Sequence, residues 1–444
     1  MFSRIRFERK FIFSALAILT AALSLTIAPA ARAINAVPDA MPTGTETVLY
    51  SFGVGPTPDK CKKDDGADPR GSLAYVPATG LLFGETASTT AKGPGFGTIF
   101  QIMPNGSSYA IDNFFAGATA DGNAPQNSAM TMVGNVLYGT TLMGGKNDRG
   151  AIFSIHDDGS GYSTPLLYNF TTPPAKNSGN RPYSNFLAVG NLLYGMTSAG
   201  GPNGGSPGNG TIFTFNTSTG TYKSLYSFDG AHGFDPHGQL ILDPNGVTFY
   251  GMTHSGGTAD AGVVFSFASI CSPLSHRCRN KFKVLHSFSC PNNGFPMCIN
   301  HDGASPDHGT LVQNGSTLFG LTAEGGKYGN GVLFSIQTSG THFTVLHSFG
   351  IPNSNDGINP EGSLLLNGTT LYGTTRLGGN NGKGSVFQIN TDGTNYDRIW
   401  DFHGLPDGQK PIDNVIMLGN TLYGTTEVGG TCGNGAIFAL VPPP

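Results

Sequence analysis

The chain alternates between short apolar runs and clusters of turn-forming residues along most of its length. In the stretch 363–402, the runs 363–366 and 370–375 flank an Asn-Gly pair, and the runs 385–389 and 397–402 flank an Asp-Gly pair. Short runs rich in β-branched, leucine and aromatic side chains, joined by such pairs, are typical of antiparallel strands. The pattern therefore predicts four short strands within this stretch.

The same pattern recurs in seven copies. Each copy contains a variant of Leu-Tyr-Gly-Thr-Thr, and the central glycines are Gly84, Gly139, Gly195, Gly251, Gly320, Gly373 and Gly424. Successive glycines lie 51 to 69 residues apart, and the longest step, between Gly251 and Gly320, contains an insertion. A four-stranded unit repeated at this spacing predicts the blades of a β-propeller.

The two ends of the repeat region complement each other. The segment 48–52 matches the fourth strand of the other copies but stands alone before the first copy, and the last copy stops after its third strand at 436–440. A ring closed by pairing these two segments has no free sheet edge. We therefore predict an all-β, seven-bladed propeller over residues 46–440, in which strand 48–52 completes the last four-stranded antiparallel blade.

Residues 1–33 have the features of a signal peptide. Four basic residues precede an apolar run from Phe11 to about Ile27, and Ala31-Arg32-Ala33 offers a cleavage site. The run is long for a signal peptide, so an uncleaved anchor is the alternative. Segment 34–45 is then a linker, and 441–444 is a short tail.

Composition excludes several classes of partner. Only 12% of the residues are charged, and cleavage after Ala33 would remove five of 24 basic and one of 28 acidic residues, which changes the formal charge from −4 to −8. A mildly acidic surface without basic clusters argues against nucleic acid and, beyond the signal peptide, against membranes. We expect a monomer with an extracellular ligand and no cofactor.

Six cysteines in an exported chain favour disulfides. Proximity along the chain pairs Cys271 with Cys278 and Cys290 with Cys298. Closure of the ring brings Cys61 and Cys432 to one face, so the remaining pair is predicted to lock the seam.

The repeats resemble the GloVer-type tandem repeat, a family of exported bacterial proteins with the motif LYGTT-x-x-GG-x-x-G-x-G-x-[IV]-F. The resemblance covers about residues 46 to 440. It implies a propeller-like repeat protein at or beyond the cell surface, with no established activity or catalytic residues. Because Val441-Pro442-Pro443-Pro444 follows a strand directly, we expect a secreted or periplasmic protein.

Features shared by all copies are best explained as architecture. The glycine loop 378–385 approaches a phosphate-binding motif, but Gly384 separates Lys383 from Ser385 and a strand follows where that motif needs a helix. An Asp-Gly-x-x-Pro segment precedes most copies. One carboxylate in each segment is too few for Ca²⁺, so it is interpreted as a turn.

Departures from the shared pattern concentrate before and within the fourth and fifth copies. The candidate binding residues there are His232, Asp235, His237, His254, His301, Asp302, Asp307 and His308. Histidine with carboxylate can bind a metal or move protons. No pair has helical His-x-x-x-His spacing, so no metal is expected, and solvated loop side chains are the alternative.

Three functions remain open at this stage. The leading hypothesis is a binding or scaffold propeller that recognises a glycan, peptide or surface polymer through its loop face. The alternative is a hydrolase or lyase that uses the His/Asp sector around His254, which requires those side chains to converge within ~5 Å in a pocket. A purely structural cell-surface component is the third possibility.

Overall fold

The computed structural model describes residues 44–54, 61, 65–90, 95–117, 121–126, 129–158, 160–162, 166–171, 179–203, 208–271, 278–289, 299 and 302–443. Every regular element within these residues is a β-strand. They belong to one compact unit that spans Met41–Pro444. Across the described ranges, no helix has the length and apolar character needed to cross a bilayer.

In the described part of the chain, the main strands form seven antiparallel sheets of four or five strands, numbered here as blades 1 to 7 along the chain, and three further strand pairs lie between blades and loops. Their main strands, in order of pairing, are Ala74–Val76, Leu81–Thr86, Thr98–Ile102 and Ala110–Phe114 in blade 1; Thr131–Val133, Val136–Thr141, Ala151–His156 and Tyr168–Asn169 in blade 2; Leu187–Val189, Leu192–Gly200, Thr211–Asn216 and Thr221–Ser227 in blade 3; Ile241–Leu242, Thr248–Thr253, Val263–Cys271 and Cys278–Ser287 in blade 4; Val312–Asn314, Thr317–Thr322, Val332–Gln337 and Thr344–Ser348 in blade 5; Leu365–Asn367, Thr370–Thr375, Ser385–Asn390 and Asp397–Asp401 in blade 6; and Ile416–Leu418, Thr421–Thr426, Ala436–Val441 and Thr45–Ser51 in blade 7.

The first and last strands of the chain close the ring. Thr45–Ser51 pairs antiparallel with Ala436–Val441, from Thr45 opposite Val441 to Ser51 opposite Ala436. A disulfide joins Cys61 to Cys432, and their Cα atoms are 5.8 Å apart. Both the seven-bladed ring and its locked seam are therefore confirmed.

The other two predicted disulfides stay predictions. Cys271 lies opposite Cys278 in the register of the third and fourth strands of blade 4. The side chains of this pair, and the whole of Cys290 and Cys298, lie outside the described residues.

The core consists of apolar clusters between consecutive blades. One cluster joins blade 7 to blade 1 through Phe52, Leu82, Phe100, Tyr423 and Ile437, all buried. Equivalent clusters lie at the other six interfaces within the described residues. This continuous belt buries apolar surface around the whole ring, which is the main stabilising contribution to the fold.

The glycine of Leu-Tyr-Gly-Thr-Thr is required by packing. A Cβ atom on Gly373 would lie 2.5 Å from Cζ of Phe387, whose ring in the third strand covers the glycine. The glycine loop has a different requirement at its end: Gly384 has φ +99°, and a Cβ there would lie 2.5 Å from the carbonyl oxygen of Thr375. Both glycines are therefore structural requirements of the blade.

The aspartate of the Asp-Gly-x-x-Pro segment joins neighbouring blades. In blade 6, Asp356 accepts hydrogen bonds from Gly357 N at 2.8 Å, Tyr396 Oη at 2.6 Å and Gly350 N at 2.9 Å, and its Oδ2 lies 3.1 Å from His347 Nε2. His347 of blade 5 stacks on Tyr396 of blade 6 with ring centroids 3.7 Å apart. The segment is structural, as predicted, and Asp356 bonds the next backbone N–H, but Gly357–Ile358 forms a short paired strand and not a turn; the aspartate also connects two blades.

The interblade segments and the loops between the second and third strands lie on the same face, called the loop face here. In blade 6, Gly357–Ile358 pairs with Leu377–Gly378. Gly66–Ala67 with Ser88–Thr89, Gly122–Asn123 with Met143–Gly144, and Gly179–Pro182 with the end of Leu192–Gly200 repeat the pairing in blades 1 to 3. Single bridges do the same in blades 4, 5 and 7.

Candidate functional site at the mouth of the ring

A strained turn fixes two positions of each blade on the loop face. The residue before each interblade proline has positive φ although it is never glycine: Asp68, Ala124, Arg181, Asp235, Ser305, Asn359 and Lys410. In blade 4, Asp235 N donates to Asn209 O of the preceding blade, and Asp235 O accepts from His254 N, both at 3.1 Å. Such a conformation persists only where surrounding contacts determine it.

The two positions held by this turn carry the variable side chains. The residues directly after the interblade prolines are Arg70, Gln126, Tyr183, His237, Asp307, Glu361 and Ile412, and those directly after the Thr that ends the second strands are Ala87, Leu142, Ser198, His254, Ala323, Arg376 and Glu427. The backbone conformation at this turn is the same in all seven blades, so the chemistry of the loop face depends on which side chain each blade carries at these two positions.

Side chains from non-neighbouring blades meet at this face. The ring of Tyr183, from blade 3, stacks on His308, from blade 5, with centroids 5.3 Å apart and an interplanar angle of 14°. Arg70, from blade 1, is close enough to influence the pKa of His308. Contacts that skip a blade are possible only near the axis of the ring, so the site lies on the loop face close to that axis, at the mouth of the ring.

Six side chains lie together near the axis and are called the axial cluster here: Tyr183, Asp235, His237, His254, Asp307 and His308. His237 lies between two carboxylates, with Nδ1 2.6 Å from Asp307 Oδ1 and Nε2 3.0 Å from Asp235 Oδ1. His308 Nε2 is 3.3 Å from the same oxygen of Asp307. The rings of His254 and Tyr183 have centroids 5.2 Å and 4.4 Å from that of His237.

The axial cluster is held away from bulk water but remains reachable. The side chains of His237, His308 and Asp307 are 14%, 12% and 21% exposed, and Asp235 at the edge is 34% exposed. A partly buried group interacts with its neighbours through a lower effective dielectric than an exposed one. The four groups therefore act as one electrostatic unit.

Burial and the neighbouring carboxylates shift the pKa values of His237 and His308 in opposite directions. Burial alone would lower the pKa of His237, but hydrogen bonds to Asp235 and Asp307 raise it to about 9. Burial lowers the pKa of His308 to about 4, although Asp307 opposes the change. Burial would raise the pKa of Asp307, but the neighbouring histidines hold it below its ordinary value. At neutral pH, of these two histidines, His237 is thus charged and His308 neutral.

A second group, the axial ion-pair network, adjoins the cluster. Arg70 Nη2 bonds Glu427 Oε1 at 2.8 Å, and Arg376 bonds Glu427 Oε2 at 3.3 Å and Glu361 Oε1 at 3.2 Å. Burial raises the pKa of Glu361 to about 7, although Arg376 opposes the shift. The network thus contains two guanidinium groups and a carboxyl group that titrates near neutral pH.

The structure brings together five of the eight predicted site residues. Asp235, His237, His254, Asp307 and His308 all belong to the axial cluster. His232 instead lies on the surface, where its Nδ1 is 2.8 Å from Asp229 and its side chain is 54% exposed. Asp302 lies at a blade interface with its Oδ2 3.0 Å from His286 Nε2, and His301 lies outside the described residues.

Sequence reasoning missed Arg70, Tyr183, Glu361 and the role of Glu427. Glu427 is no isolated carboxylate, because it pairs with both Arg70 and Arg376. An alignment of the seven copies at the residue after the interblade proline would have shown that these side chains share one place.

Fold and site together define a seven-bladed β-propeller with a charged cluster near the axis of its loop face. The chain belongs to the Gloeobacter/Verrucomicrobia repeat family, whose model matches residues 68–299 and 296–444. The resemblance drawn from the repeat motif is thereby confirmed. Among proteins with curated functions, none matches the chain.

Several solved structures are similar to this chain in shape. A putative 6-phosphogluconolactonase from Bacteroides uniformis ATCC 8492 is 14% identical, with 80% of this chain and 88% of that chain covered and a TM-score of 0.47. The Niastella koreensis GH74 enzyme is 15% identical, with 81% and 50% covered and a TM-score of 0.47. A puromycin-hydrolyzing peptidase of Mycobacterium tuberculosis is 11% identical, with 85% and 53% covered and a TM-score of 0.49. Likeness at this level carries no argument about the activity of this chain.

Proposed function

We propose that this protein is an exported enzyme, a hydrolase or lyase, whose reaction centre is the axial cluster. One observation carries the proposal: Asp235 and Asp307 both lie within hydrogen-bond distance of His237, and the side chains of His308 and His254 gather around them. A solvated loop sector would splay these side chains into water. The enzyme hypothesis requires this convergence.

The cluster and the network supply groups that can take and give protons. His254 is partly exposed, and its Nδ1 lies 2.8 Å from Ser255 Oγ, with its ring beside that of His237. The pKa of about 7 at Glu361 suits a carboxyl group that exchanges protons near neutral pH. Both hydrolysis and elimination need one group that accepts a proton and one that donates it.

Arg70 and Arg376 lie at the edge of the same mouth. Their side chains are 30% and 33% exposed, and each is anchored by Glu427. A guanidinium group held this way can bind a carboxylate or sulfate group of a substrate with two parallel hydrogen bonds. An acidic polysaccharide or an acidic peptide is therefore the substrate class that we favour.

Export is supported by the disulfide between Cys61 and Cys432, since structural disulfides form in oxidising compartments. The predicted signal peptide agrees with this location.

The test is turnover of neutral and acidic polysaccharides and of peptides by the full-length chain. New reducing ends or new amino termini report hydrolysis, and the ultraviolet absorbance of a new double bond reports elimination. We expect cleavage of an acidic substrate that falls at least ~100-fold in His254→Ala, since a proton-transfer group contributes about 10²–10⁴.

His232→Ala is the matched control, because it removes a histidine of the same sector that lies outside the axial cluster. Equal rates for His254→Ala and the wild type would contradict the proposal, and so would equal losses in both variants.

A binding function is the second candidate, favoured by a cleft of about 430 Å³ between blades 5 and 6. Its lining includes Asn314, Gln337, His342 and Asp392, which belong to hairpin ends on the face opposite the loop face. Amides and hydroxyls around a few apolar side chains suit glycan recognition. Glycan-array binding that is lost in Gln337→Ala but kept in His254→Ala would favour this candidate.

A further inference from the structure

Three side chains of the axial cluster have the composition and spacing of a metal site. Among the described residues, His237, Asp307 and His308 place one ligand atom each within 4.8 Å of one another. The closest pairs are His237 Nδ1 with Asp307 Oδ1, at 2.6 Å, and His308 Nε2 with the same oxygen, at 3.3 Å. Ligands that share an ion at ~2.0–2.2 Å lie about 3–3.6 Å apart, so little movement is needed.

The donor set discriminates between metals. Two imidazole nitrogens and one carboxylate oxygen suit zinc and other divalent first-row transition metals. Calcium and magnesium prefer shells made of oxygen, and thiolate-selective metals need cysteine, which this cluster lacks.

The surroundings hold two of the three ligands in orientation. The Nε2 of His237 faces Asp235 Oδ1 at 3.0 Å, which leaves Nδ1 on the side of Asp307. When a metal-ligating histidine donates a hydrogen bond from its second ring nitrogen to a carboxylate, that bond fixes the orientation of the ring and increases the basicity of the ligating nitrogen. Tyr183 stacks on both imidazoles, whose own planes differ by 15°.

The charges of the cluster also favour a cation. Asp235 and Asp307 both face His237, which donates to both carboxylates when both of its nitrogens carry protons. A divalent ion bound at Nδ1 would replace one of these protons and balance the same two carboxylates. Binding therefore exchanges one cation for another and leaves no carboxylate without a partner.

We propose that His237, Asp307 and His308 bind one divalent transition-metal ion, with Asp235 as the carboxylate that orients His237. The inference rests on the proposed function, because it names a cofactor for the same cluster, and it replaces the sequence-based expectation of no cofactor. A bound ion would act as a Lewis acid beside His254 and Glu361.

The test is zinc binding by the full-length chain prepared without a polyhistidine tag. The protein is stripped with a chelator and titrated with Zn²⁺ alone by calorimetry, and the metal content after gel filtration is measured. We expect one ion per chain with micromolar or tighter affinity. His308→Ala and Asp307→Asn should each weaken binding at least ~100-fold, and Asp235→Asn about 10–100-fold.

The titration is accompanied by a control variant and by a melting-temperature measurement that checks the fold. His232→Ala should bind zinc like the wild type, and zinc should raise the melting temperature of the wild type but not of Asp307→Asn. Absence of zinc binding by the wild type, or unchanged binding in His308→Ala and Asp307→Asn, would overturn the metal site.

Zinc binding is measured without substrate, so its failure is distinct from failure of the proposed function. Loss of turnover in His254→Ala without zinc binding would leave a metal-independent enzyme. Zinc binding without an effect of the axial variants on turnover would leave a metal site and remove the proposed reaction centre.

Discussion

Asp302 and Asp307 lie in the same interblade segment but have different surroundings. Asp302 precedes the turn and faces His286 at a blade interface, whereas Asp307 follows Pro306 and faces His237 and His308 near the axis. Each aspartate has a histidine directly beside it in the same short segment, so the sequence alone placed both in one candidate site. The turn before the proline separates the two, because it directs the following side chain towards the mouth of the ring.

Glu361 allows the electrostatics of the mouth to be measured. Burial raises its pKa from 4.5 to about 7, with Asp307 and Glu427 adding to the shift and Arg376 opposing it. The folded state therefore binds this proton more tightly than the unfolded state, and the carboxyl group lowers stability progressively as pH rises from about 4.5 to 7. Glu361→Gln cannot lose that proton. We expect its free energy of unfolding to rise relative to the wild type by up to about 3 kcal/mol between pH 4.5 and pH 8.

Denaturant unfolding at the two pH values checks the expectation for Glu361. Asp392→Asn is the control, because Thr394 lowers the pKa of Asp392 and its carboxylate is ionised in both states over this range. Its difference from the wild type should not depend on pH. A pH-independent difference for Glu361→Gln as well would show that Glu361 does not carry the shifted pKa.

At the scale of elements, the fourth strands join neighbouring blades by ring stacking, and two of them also by a hydrogen bond between a histidine and an interblade aspartate. A ring in the fourth strand of one blade stacks on a ring of the next: Tyr50 on Tyr109, Tyr168 on Tyr222, Tyr226 on Phe282, His286 on Phe343 and His347 on Tyr396. His286 and His347 therefore pack where Tyr50, Tyr168 and Tyr226 stand in other blades. Their hydrogen bonds to Asp302 and Asp356 could not be predicted, because each partner belongs to a separate segment.

Tyr396→Phe tests the contribution of these aspartates. It keeps the ring against His347 but removes the 2.6 Å hydrogen bond from Tyr396 Oη to buried Asp356. We expect a loss of about 1–2 kcal/mol in the free energy of unfolding, because the buried carboxylate loses one of its hydrogen-bond donors and only Gly357 N remains on that oxygen. Thermal and denaturant unfolding measure the loss.

Tyr75→Phe serves as the comparison for Tyr396→Phe, since Tyr75 is 37% exposed. It should change stability by less than ~0.5 kcal/mol. Similar effects for the two variants would mean that the hydrogen bond to Asp356 contributes nothing measurable.

At the scale of the whole molecule, the fold was predictable and the site was predictable only in part. Alternating strands, paired turns and the unmatched segment 48–52 are local patterns, and together they require a closed ring. The axial cluster depends on side chains from blades 3, 4 and 5 that are over a hundred residues apart in the chain. Tyr183 carries no local mark of function, and only the geometry of the closed ring brings it onto His308.

The central claim is that residues shared by the blades build the ring, and that the residues of the axial cluster, where blades 4 and 5 differ from the others, perform the chemistry. A variant with His254→Ala, Asp307→Gln and His308→Gly tests it, because each new residue stands at the same position in another blade, as in Ala323, Gln126 and Gly362. His308 has φ +45°, which glycine accepts without strain. Turnover of the acidic substrate is measured alongside the melting temperature. We predict a melting temperature within about 5 °C of the wild type and no turnover. Turnover at the wild-type rate, or a ring that no longer folds, would contradict the account.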